Sequence, residues 1–137
     1  MNPNAIFWPM GALALLTFLV LVQIPLRRFR AGFRGEVSFG DFRGGESPRV
    51  PAAVSLPNRN YMNLLELPVL FYVLCLCAFI TGHVGSATVG LAWTYVALRA
   101  VHSVIHLTYN DVRHRGLAFA ASNIVLLVMW IRFFVAL

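Results

Sequence analysis

Four predominantly apolar runs, over residues 5–26, 61–80, 84–107 and 117–137, hold 87 of the 137 residues in stretches of 22, 20, 24 and 21. Each is long enough to cross a hydrocarbon core of about 30 Å, which takes about 20 helical residues. Charged residues make up 12% of the chain and apolar ones 59%, whereas a soluble domain carries about 25% charge. So few charges cannot cover a water-facing surface. The pattern predicts an all-α integral membrane protein, a four-helix transmembrane bundle in one domain over residues 1–137, with helices near 5–26, 59–81, 84–108 and 116–136. A soluble enzyme, a disulfide scaffold and a disordered chain are excluded. Cys75 and Cys77, about 200° apart on one helix, read as small packing thiols.

The net charge of +6 comes from 11 arginines against 5 acids, with no lysine. Seven of those arginines lie between residues 27 and 59, directly after the first apolar run, which is the pattern of a cytoplasmic loop rather than of a nucleic-acid binder. Nothing basic precedes the first run, the reverse of a secretory signal peptide. With loop 27–58 in the cytoplasm, four spans carry loop 109–115, with Arg113 and Arg115, to the same side. The turn at residues 81–86, free of Lys and Arg, then lies opposite, and both termini are outside. Trp8 and Trp130 fall near the outer ends, as interfacial aromatics do.

Several polar side chains interrupt the spans in a regular way. Arg59, Asn63 and Glu66 stand at i, i+4 and i+7, on one helical face. Tyr95, Arg99, His102 and His106 form a similar stripe on the third helix. A charge at a helix centre costs about 2.5–3.5 kcal/mol and faces the bundle interior or a wet cavity, so Arg99 and Glu66 are expected to pair. Hydrogen bonds between membrane helices average only about 0.6 kcal/mol, a small return for so many costly groups. A ligand site is therefore expected at the cytoplasmic end, where the surrounding arginines favour an anionic ligand. Pro68 is expected to kink the second helix just past Glu66 and help open the cavity.

The stripe and its surroundings resemble the MAPEG family, the membrane-associated proteins in eicosanoid and glutathione metabolism, which includes microsomal glutathione transferases. The most specific element is Arg-x-x-x-Asn-x-x-Glu followed by Pro and an aromatic residue, here Arg59, Asn63, Glu66, Pro68 and Phe71. Arg-x-x-His follows at Arg99 and His102, and a basic residue opening the last helix at Arg115. The resemblance implies a homotrimer in the lipid bilayer with glutathione, the co-substrate, bound between subunits near the cytosolic face. Arg59, Asn63, Glu66, Arg99, His102 and His106 would hold the peptide, and Arg115 would stabilise its thiolate for transferase or peroxidase chemistry on a hydrophobic electrophile or lipid hydroperoxide. Arg113 could take that role if the loop shifts in register. The chain departs from the pattern at His106 and Phe119, where well-studied members carry Tyr, and at Asp111, where a prostaglandin synthase carries Arg.

Other readings use the same residues. A non-catalytic, lipid-binding or structural member of this family would keep the fold and drop the chemistry, leaving Arg115 replaceable. A metal or haem protein would use His102 and His106 at i and i+4, with Asp111 or His114 as the third ligand. Transport has little support, because the four spans show neither inverted halves nor broken helices.

Overall fold

The computed structural model describes residues 2–137, which are helical apart from their connections. A 3-10 turn at Pro3–Ile6 leads into α1 (Phe7–Phe33); α2 (Ala52–Leu65), α3 (Pro68–Ile80), α4 (Ser86–Leu107) and α5 (Val112–Ala136) follow. Four of the resulting segments, with α2 and α3 taken as one, are long and apolar enough to cross a membrane. Their shared core joins Leu13 and Val20 of α1, Leu64 of α2, Phe71 and Leu74 of α3, Tyr95 of α4, and Leu126 and Met129 of α5. Hydroxyls inside the spans are satisfied locally: Thr17 donates to the Leu13 carbonyl at 2.9 Å and Thr94 to the Gly90 carbonyl at 2.9 Å. Such back-bonding spares the bilayer an orphaned donor.

The helices outrun the apolar stretches. α1 continues through Arg27, Arg28 and Arg30 to Phe33, α2 begins at Ala52, and α5 begins at Val112. The connection expected over 27–58 is therefore confined to residues 34–51, and Arg113 and Arg115 are helical rather than in a loop. Hydropathy marks where the bilayer ends, while a helix keeps its hydrogen bonds after it has left the lipid. Asp111 explains the early start of α5: as its N-cap, it accepts from the Arg113 and His114 amides at 2.9 and 3.0 Å. Those bonds hold its carboxyl below the ordinary carboxylate range.

The second span is broken rather than merely kinked. α2 stops at Leu65, Glu66 adopts φ −86° and ψ −107°, and α3 restarts at Pro68. Proline has no N–H for the preceding turn and clashes with it. The Val69 and Leu70 amides close tighter turns onto Glu66 and Leu67, at 3.1 and 2.9 Å.

The 34–51 loop has its own internal order. Asp41 is 6% exposed and accepts from the Ser38 amide (2.8 Å), the Ser38 hydroxyl (3.0 Å), the Ser47 hydroxyl (2.9 Å) and Arg49 (3.0 Å). These donors, the Ser38 amide first, hold its carboxyl well below the usual range. Beneath it, Val37, Phe42, Val50 and Val54 pack on Ala31. Arg27 anchors both ends of the loop side, donating to the carbonyls of Ala53 at 3.0 Å and Leu107 at 3.1 Å.

Candidate functional site

α4 and α5 form the most extensive helix pair, and α2 packs across α4. This brings the two polar stripes together at the loop end of the bundle. Arg59 and Asn63 of α2, His102 and His106 of α4, and Arg115, Gly116 and Phe119 of α5 line a cavity of about 290 Å3. Five of the seven residues expected at a site thus share one cavity. Arg99 lies against it, and Glu66 is outside its wall.

Arg99 is wholly buried at 0% exposure. Its expected ion pair with Glu66 is not formed: Arg99 Nη2 donates instead to the Asn63 side-chain oxygen and to the Asn63 backbone carbonyl, the latter at 3.3 Å. The break in the second span explains this. The Leu67 amide, which would have bonded the Asn63 carbonyl in a continuous helix, makes no such bond. Glu66, at the distorted position, is turned to the outside of the single chain. The carbonyl freed by the break becomes the acceptor for a buried cation.

Other interactions fix the cavity's remaining walls. The Arg99 guanidinium sits 5.6 Å from the Phe119 ring centroid, so Phe119 offers its aromatic face to the cation. His102 Nδ1 donates to the Arg115 carbonyl at 3.1 Å. A carbonyl only accepts, so His102 carries a proton on Nδ1, and in the neutral ring Nε2 is then an acceptor. The His102 and His106 rings are 5.7 Å apart. Among the described residues, Arg99 Nε and Nη1, His102 Nε2 and His106 Nδ1 are buried with no hydrogen-bond partner. Buried polar atoms cost about 1–3 kcal/mol each when left unpaired. These unpaired atoms lie directly behind the cavity wall, which itself carries the Arg59 and Arg115 donors and the Asn63 amide.

Arg115 is half-buried and lines the cavity, whereas Arg113 is exposed and does not. Arg115 Nη1 donates to Asn110 Oδ1 at 2.6 Å. Asn110 has φ +48° and returns its amide to the Ile105 carbonyl at 2.8 Å. It is the left-handed residue that closes α4, a position Asn tolerates better than most residues. Sequence reasoning missed both Asn110 and Asn60, which is wholly buried and accepts from the Ser103 hydroxyl at 3.3 Å. The signal for Asn110 was its place just past an apolar run; nothing comparable marks Asn60.

The suggested third metal ligands are engaged elsewhere. Asp111 caps α5, and His114 Nδ1 lies 3.2 Å from the Tyr109 hydroxyl. No group of three His, Cys, Asp or Glu side chains comes together among the described residues.

Four membrane-length helices and a basic polar cavity at one end define a multi-pass integral membrane protein with an intrabundle site. A family model for the MAPEG family matches residues 6–135, and the chain belongs to that family. No curated protein and no solved structure matches it. The family includes glutathione transferases and peroxidases as well as non-catalytic members.

Proposed function

We propose that the protein binds glutathione in the α2–α4–α5 cavity and uses it as a transferase or peroxidase co-substrate against a hydrophobic electrophile or lipid hydroperoxide. The observation that carries this reading is a single cavity lined by Arg59, Asn63, His102, His106 and Arg115, with the buried Arg99 guanidinium behind Asn63. Glutathione is anionic, with two carboxylates, an ammonium group and two amides. Arginine donors suit its carboxylates, and His102 Nε2 suits an N–H. At about 290 Å3, the cavity lies at the lower edge of the range of about 300–1,000 Å3 for small-molecule sites. Arg59 and Glu66 are exposed on the single chain, which supports completion of the site by a neighbouring copy in a homotrimer.

In this reading Arg115 faces the thiol. A thiol of reference pKa about 8.5 must fall by about 2 units to be mostly thiolate at neutral pH, and a neighbouring cation favours the charged form. The thiolate then forms a C–S bond at an electrophilic carbon as a leaving group departs, or as a strained ring or conjugated double bond opens and takes up a proton. Alternatively it takes the terminal oxygen of a hydroperoxide, whose O–O bond breaks to leave an alkoxide that is protonated to the alcohol. In the second case a further glutathione converts the sulfenate to the disulfide and water. The lipid-soluble partner arrives along the apolar helix surfaces. Loop 34–51 and the α4–α5 turn face the cytoplasm, with both termini opposite.

Calorimetry of reduced glutathione with the detergent-purified protein tests the proposal, with Arg99→Ala and Glu66→Gln alongside. Saturable binding weakened by both supports it; a well-folded parent that binds no glutathione overturns it. The phenyl ring of Phe119, which brings no hydroxyl to the cavity, favours a second reading as a non-catalytic, lipid-binding member. Under that reading Arg115→Ala leaves function unchanged.

A further inference from the structure

The end of α1 and the loop line a second, open cavity of about 730 Å3, apart from the polar site. Its apolar wall comes from Ile24, Pro25, Phe29, Phe33, Phe39 and Phe42. At 1.5 Å per residue α1 is about 40 Å long, roughly 10 Å more than the hydrocarbon core. Ile24 and Pro25 close the first apolar run, while Phe29 and Phe33 lie one and two turns beyond it. The cavity thus begins at the hydrocarbon boundary and continues at headgroup depth. Phe18, Val22, Pro25, Phe29 and Phe33 stand at i, i+4, i+7, i+11 and i+15, a single face that is exposed throughout on the single chain. Phe33 and Phe39 are 91% and 93% exposed, more apolar surface than a loop can leave in water.

Charge identifies what covers it. Between residues 27 and 49 there are six arginines and three acids. Glu46 is taken by Arg28 and Asp41 by Arg49, each at 3.0 Å. Arg34 has only a 4.0 Å contact with Glu36, and among the described residues Arg30 and Arg43 have no ion pair. Arg28, which lines the cavity, stacks 4.4 Å from the Phe42 centroid, and its buried Nε has no partner. A second copy of the chain is a poor match, since only Glu66 and Asp111 lie outside this segment as acids, and Asp111 is the α5 cap.

We infer that this cavity seats an acyl chain of an anionic glycerophospholipid from the adjoining leaflet, its phosphate met by Arg30 and Arg34 beside the wall. Basic residues next to a membrane span attract anionic lipid, and aromatic rings favour the same depth. The inference does not depend on which ligand fills the polar cavity.

Native mass spectrometry of the full chain in neutral detergent tests it, with phosphatidylglycerol, phosphatidylcholine of the same acyl chains, or inorganic phosphate as the probe. The expected result is preferential retention of phosphatidylglycerol. Each basic residue is worth about fivefold at an anionic surface, so Arg30→Gln with Arg34→Gln should weaken phosphatidylglycerol roughly 25-fold, to the level of phosphatidylcholine. Phe29→Ala with Phe33→Ala should weaken both lipids alike. Glutathione calorimetry on both double variants should match the parent, which separates this site from the polar one. Equal retention of the two lipids by the parent, indifference to both double variants, or equal binding of free phosphate would overturn the inference. So would spontaneous disulfide formation between copies carrying Phe39→Cys, which would put a second copy on the patch.

Discussion

Arg115 is a cation aimed by an amide: Asn110, held in a left-handed turn, accepts from its Nη1 at 2.6 Å. If it lowers the thiol of bound glutathione by about 2 units, Arg115→Ala returns that thiol toward about 8.5 and cuts the rate at pH 7 by roughly 25-fold. The loss should shrink as the pH rises toward about 8.5 and be nearly gone above about pH 9, where the thiol ionises unaided. A pH–rate profile checks this, and a loss independent of pH would deny Arg115 the role. Asn110→Ala should give a smaller loss of the same shape, because the charge remains and only its aim is lost. Asp41 makes a different prediction. Its carboxyl is lowered in the folded loop, so it contributes stability above the ordinary carboxylate value of about 3.9. That contribution fades as the pH falls below this value through the depressed folded one. Hydrogen exchange over residues 38–50 should therefore be slow at neutral pH and quicken in acid once the intrinsic rate is divided out. Asp41→Asn should exchange faster at pH 7 and lose the acid dependence.

At the scale of elements, the break between α2 and α3 matters most, because it gives Arg99 the Asn63 carbonyl. Pro68→Ala supplies the missing N–H and lets the helix run through. The Leu67 amide then competes for that carbonyl. A hydrogen bond to a charged group is worth about 1.5–3 kcal/mol, so glutathione affinity should fall by roughly tenfold or more. Exchange at Leu67 should slow in parallel; unchanged exchange would show that the break does not depend on Pro68. The four spans were legible in the sequence because burial in lipid leaves its mark on every residue of a span. The helix ends were not. Arg27 to Arg34 suit water as loop residues do, yet Arg is a good helix former and nothing before Phe33 stops α1. The stripe of Arg59 and Asn63 with His102 and His106 was legible from the 3.6-residue period, which tells which side chains share a face. It says nothing of how two helices are rotated against each other. Glu66 left the stripe because the break reorients the backbone at that residue, and Arg99 took an acceptor that exists only once the helix is interrupted.

At the scale of the whole molecule, the distribution of arginine sets the orientation. Gly44→Cys and Ser86→Cys, in a background with Cys75 and Cys77 replaced by Ala, test it with an impermeant maleimide on intact cells. Ser86→Cys should label and Gly44→Cys should stay protected until the cells are opened; the opposite pattern would invert the topology. The oligomer is tested by light scattering in detergent, where the protein component should be three times the 15.3 kDa chain mass. Arg27 has a consequence at this scale. Its two bonds, to Ala53 near the start of α2 and Leu107 at the end of α4, tie the last third of α1 to the point where the chain re-enters the bundle, whatever lies between. Lengthening a flexible connection costs only about 0.6 kcal/mol per doubling. Outside its Asp41 network and the cluster on Ala31, the 34–51 segment can therefore gain residues without moving the α4–α5 turn. One scaffold could carry many different attachments to the membrane surface while its chemistry stays in place.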